Sequence, residues 1–161
     1  MKMHINSYFH LALLLLLGLL STQLIAATDA ASSVSVDKPY VRAVPPGQPN
    51  SAAFMTLSNS STVKHSIVRA ESTVSRIVEL HTHVKEDGMM KMRQVKQIDI
   101  SAQGQAILKP GGLHVMFLGL KSELKPGDKV TVTLIFEDGS KKTITAPVKK
   151  MKMHMKKPMH K

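Results

Sequence analysis

From Val34 to Val148 the chain is a succession of short apolar runs, each closed by a cluster of Gly, Pro, Asn or Asp. Val34–Val44 stops at Pro45-Pro46-Gly47, and Ser51–Ser58 and Val63–Ala70 flank the polar stretch Asn59–Thr62. Arg76–Val84, Met89–Val95, Gln97–Ser101, Ala106–Leu108, Leu113–Leu118 and Lys129–Phe136 follow, and Asp138-Gly139 turns the chain into Lys142–Val148. No window keeps a 3.6-residue apolar period over three turns, which leaves little room for helix. Strands of this length at this spacing predict an all-β sandwich or barrel.

The two ends read differently. Met1–His10 carries Lys2, Leu11–Leu20 is unbroken apolar sequence, and Ser21–Ala27 is polar and small. That order is a secretory signal, and the apolar run is half of the roughly 20 residues a spanning helix needs. Cleavage is expected near Ala27, leaving 28–148 as one domain. Lys149–Lys161, KKMKMHMKKPMHK, has no aliphatic residue to bury and reads as a disordered tail.

An exported domain of this size would be free to use disulfides, yet the chain has no cysteine. The fold must stand on packing alone. Thiolate nucleophiles, redox CxxC pairs, zinc ribbons and the Cys-ligated blue-copper centre are excluded with it. The formal net charge is +11, but six of the lysines fall in the last thirteen residues. A basic chain invites a nucleic-acid reading, which export and the absence of Trp oppose. Weak attraction to an anionic membrane surface or to an acidic partner patch is the expectation.

Methionine and histidine are not scattered as core fillers would be. Met89, Met90, Met92 and Met116 lie between Val84 and Leu118, Met151, Met153, Met155 and Met159 lie in the tail, and only Met55 stands apart from these after the signal. In IVELHTHVKEDGMMKMRQV, Asp87-Gly88 between two alternating runs signals a hairpin. With those two residues as the loop, His83 faces Met92 and His81 faces Gln94; a one-residue slip on each side pairs His81 with Met92 instead. Strand side chains alternate with period two, so either register puts His81, His83, Met90 and Met92 on one face. His114 and Met116, two apart after Pro110-Gly111-Gly112, project together. Imidazoles with thioethers suit copper(I), and Met ligands cannot oxidise to disulfides. His65 reads as structural, facing out of its strand.

His81, ten residues, Met92, twenty-one residues and His114-Val115-Met116 is the spacing of the periplasmic copper chaperone family PCu(A)C, which this chain resembles. Glu79-Leu80-His81, Glu86-Asp87-Gly88, Met90-Lys91-Met92 and Leu108-Lys109-Pro110-Gly111-Gly112-Leu113-His114 extend the resemblance over roughly the whole Val34–Val148 domain. It implies a cupredoxin-like Greek-key sandwich holding one copper(I) through His81, Met92, His114 and Met116. It further implies a periplasmic monomer that carries copper toward the dinuclear centre of cytochrome c oxidase, with oxidase subunit II and thioredoxin-like copper metallochaperones as partners. His83 is a departure, since the family often has Met there. The auxiliary candidates are His83 and Met90 in the hairpin. In the tail, Met151, Met153, His154, Met155, Met159 and His160 would take a second copper, (I) or (II). The competing reading is a copper-sequestering or resistance protein. No Ser/His/Asp order, carboxylate pair or nucleotide loop points to an enzyme.

Overall fold

A computed structural model describes residues 29–150. The expected signal, 1–27, and the tail from Met151 onward lie outside the described residues. Ten strands and one helical turn make up the domain: α1 (Ala30–Ser33), β1 (Val34–Arg42), β2 (Asn50–Asn59), β3 (His65–Glu71), β4 (Ser75–Glu86), β5 (Met89–Gln94), β6 (Ile98–Ile100), β7 (Gln105–Leu108), β8 (His114–Leu120), β9 (Lys129–Phe136) and β10 (Lys141–Lys149). Each expected strand is present, with ends moved by up to a few residues. The chain stays in the sheet through Lys149, one residue past the expected boundary.

The strands run in the order β5-β4-β8-β2-β1-β10-β9-β3-β6, with β7 pairing the far end of β2. All these ladders are antiparallel except one, β1 with β10, where Val41 meets Val148 and Arg42 meets Lys149. This short parallel seam joins two halves that fold face to face as a cupredoxin-like sandwich. Alternating residues fill the space between them: Val41, Ala53, Met55, Leu57, Val115 and Phe117 from one half, Ile67, Ile100, Val132, Leu134, Phe136 and Val148 from the other. Burying such side chains at about 25 cal/mol per Å² is the main force holding a disulfide-free domain together.

α1 is too short to stand alone. Asp29 caps it, its side chain accepting from Ser32 N at 2.6 Å. Asp138 Oδ2 accepts from Ala30 N at 2.7 Å, tying the turn to the β9–β10 hairpin.

One expectation is corrected. His65 does not face out of β3; it is buried, with Nδ1 2.7 Å from Glu137 Oε1 and Nε2 3.2 Å from Ser61 Oγ. Those partners offset the cost of enclosing an imidazole, so its role is structural as expected while its direction is not.

Candidate metal site

The β4–β5 hairpin turns on Asp87 and Gly88, both at positive φ (53° and 77°). That is the two-residue turn whose twist matches the strands, and Gly takes the left-handed conformation without a Cβ penalty. The turn sets the register: Glu86 faces Met89, His83 faces Met92 and His81 faces Gln94. Of the two registers open from sequence, the unslipped one forms.

β8 runs along the other side of β4, and there His81 faces His114 and Glu79 faces Met116. Directly opposed residues share a face, so Glu79, His81, His83, Met92, His114 and Met116 all stand on one side of the sheet. Val115 and Phe117, at the intervening positions of β8, enter the core. On β2, Ala52 opposes Met116, and Phe54 lies beside His114 with ring centroids 6.1 Å apart. The centroid of His114 is 5.8 Å from that of His81 and 5.4 Å from that of His83.

A cleft of ≈ 460 Å³ opens over this face. His83, Met92, His114 and Met116 line it, with Phe54 and Ala52 at its base and Arg42, Val44 and Pro45 along one wall. His81 is next to the cleft but outside its lining. Met90 faces Lys85 farther along the hairpin and is largely exposed. The structure therefore brings together His83, Met92, His114 and Met116 around the cleft and His81 beside it, and leaves Met90 out.

Two of the imidazoles are held in fixed orientations. His114 Nδ1 donates to the Gly112 carbonyl at 2.9 Å, because a carbonyl can only accept. Its proton is therefore on Nδ1, and Nε2 presents a lone pair. His81 Nε2 donates to Glu79 Oε2 at 2.7 Å, leaving the lone pair on Nδ1. His114 Nε2, His81 Nδ1 and His83 Nδ1 are all buried without a hydrogen-bond partner. A buried polar atom left unpaired costs about 1–3 kcal/mol, so three on one face call for an occupant. A fixed tautomer with the opposite nitrogen bare is how protein groups orient a metal-binding histidine.

Charge agrees. Burial holds the His114 imidazole below its ordinary 6.5; the Gly112 bond opposes this, and the nearby His83 and His81 add to it. In a neutral ring with its proton on Nδ1, Nε2 has no proton for a metal to displace. Among the described residues no three His, Asp or Glu side chains converge as a cation cage. The remaining donors on the face are the thioethers of Met92 and Met116. Two imidazoles with thioethers are a soft set that fits copper(I).

Sequence reasoning missed the supports. Glu79, two residues before His81 and hence on its face, could have been found from that spacing alone. The Phe54 contact could not, since it depends on how distant segments meet, and the Gly112 carbonyl, though only two residues from His114, is a backbone group that no side-chain pattern marks.

The LpqE-like family model matches residues 34–148. A candidate lipoprotein of Leifsonia xyli, Lxx21020, is 37% identical over 120 residues, covering 74% of this chain and 71% of its own length. Among solved structures, copper(I)-bound DR1885 from Deinococcus radiodurans is 37% identical with a TM-score of 0.61, covering 76% of this chain and 83% of that one. The copper-bound PCuAC domain from PmoF2, at 22% identity and a TM-score of 0.64, covers 76% of this chain and 97% of that one and shares the fold.

Proposed function

The chain belongs to the LpqE-like family, its PCu(A)C resemblance holds, and from that footing we propose that it is a periplasmic copper(I) chaperone. The ion is cargo, carried by His114, Met92, Met116 and an imidazole of β4. The observation that carries this reading is that three buried, unpartnered imidazole nitrogens stand on the face that holds Met92 and Met116. Copper(I) tolerates few ligands and favours thioethers, and an open cleft lets a partner reach it. The neighbour with copper(I) bound, DR1885, supports the choice of ion.

The copper goes, in this reading, to the dinuclear centre of cytochrome c oxidase, with oxidase subunit II or a thioredoxin-like metallochaperone as the immediate partner. The leader, 1–27, delivers the chain to the periplasm as a monomer. The tail residues Met151, Met153, His154, Met155, Met159 and His160 supply a second copper site, for copper(I) or copper(II). No catalytic step is assigned.

An anaerobic copper(I) competition titration tests the site. One copper held by the sandwich, lost when His114 is replaced, supports it; full binding after that replacement ends it. A deletion strain tests the destination. Loss of oxidase activity at low copper supports delivery, whereas copper sensitivity with normal oxidase favours a sequestering protein, the alternative that the Met- and His-rich tail favours.

A further inference from the structure

The resemblance points to one imidazole from β4, and the structure offers two. Resting on the copper(I) reading above, we propose that His81 and His83 are alternative ligands for the same ion, one bound at a time, and that copper passes from the first to the second on leaving the cleft.

The two residues lie two apart on one strand, so they share a face. Their rings stand at nearly equal distances from His114, 5.8 and 5.4 Å between centroids. Each presents a buried Nδ1 with no partner. Yet no three His, Asp or Glu side chains converge as a cation cage among the described residues. Each ring can face an ion held by His114, and the two do not join His114 in a three-imidazole cage.

They differ in how they are held. Glu79 fixes the His81 ring through Nε2, beside the cleft. His83 is opposite Met92 and lines the cleft itself. His81 is therefore the inner position and His83 the outer. In the exchange the Cu–N bond to His81 Nδ1 breaks as the bond to His83 Nδ1 forms, with His114 and the thioethers retained. The ion stays copper(I), and with His83 in the tautomer protonated at Nε2, as Glu79 makes His81, no proton moves. The copper reaches the open side of the cleft without being released to solvent.

A double-mutant cycle on the exported full-length chain tests this. Copper(I) is titrated against bicinchoninate while the ring resonances of His114 report occupancy of this site, independently of the tail. His81→Ala and His83→Ala should each weaken binding by less than about fivefold, and the pair together by about a hundredfold or more, because each ring covers for the other. An additive cycle, or a His83→Ala change that is silent in both backgrounds, overturns the proposal and leaves the chaperone reading standing. If the His114 resonances do not respond to copper(I) even in the parent chain, the site reading falls and this inference with it.

Discussion

Glu79 and His81, two residues apart on β4, are joined by a 2.7 Å hydrogen bond from Nε2 to Oε2, so the face that would bind the metal also carries the group that orients its ligand. The carboxylate accepts the only proton of a neutral ring and leaves Nδ1 bare. Glu79→Gln should release this tautomer, since an amide can present either a donor or an acceptor. Imidazole nitrogen NMR of the apo protein checks it: the parent should show His81 protonated at Nε2 alone, and the variant a mixture. An unchanged spectrum would mean that Glu79 does not set the tautomer.

His114→Ala and Met92→Ala should each weaken copper(I) binding in the sandwich by at least about tenfold to a hundredfold, the loss that removing even an outer partner of a metal ligand commonly produces. Competition titration under anaerobic conditions measures it, with circular dichroism to establish that the sheet persists. Unchanged affinity in both variants would remove these residues from the site.

Phe117 is fully buried one position after Met116. Phe117→Ala should destabilise the domain by about 3–5 kcal/mol through lost burial and the cavity left behind. Urea unfolding of the apo protein gives the value. Met92→Ala, at a half-exposed residue, should cost far less by the same measure, and equal losses would contradict the division of the sheet into a core face and a site face.

Asp138 accepts from Ala30 N, which holds its carboxyl below the usual 3.8, with Ser140 adding to the effect. A depressed carboxyl stabilises the fold fully above its unfolded value, and the contribution disappears as pH falls through the lower folded value. The stability difference between the parent and Asp138→Asn should therefore be constant above about pH 5 and shrink below 3.8. Thermal melts across that window decide it; a gap that persists at pH 2 would show that the charge is not responsible.

The hairpin was legible because its information is local. Asp87-Gly88 marks the turn, and the period-two alternation gathers His81, His83, Met90 and Met92 on one face in either register; which register forms, with His83 opposite Met92, is seen only in the structure. The strand list was legible for the same reason, each run being bounded by its own turn residues. What the sequence did not reveal is that β8 lies against β4, so that His81 meets His114. That adjacency depends on which edges the sandwich closes, and no residue near either histidine encodes it. His65 was misdirected for a related reason: its partner Glu137 is seventy-two positions away, beyond the reach of a pattern read along one strand.

The parallel seam between β1 and β10 has a practical consequence. Lys149 pairs with Arg42, and Arg42 is part of the cleft wall. Ala30 is bound to Asp138, just before β10 begins, and that strand is nine residues long. At 3.3 Å per residue the two attachment points are about 25 Å apart. A fluorophore or purification handle joined after Lys150 would start beside the metal face and could obstruct whatever docks there. The same handle placed ahead of Asp29 would start from the far end of the sandwich, leaving the cleft clear for a partner.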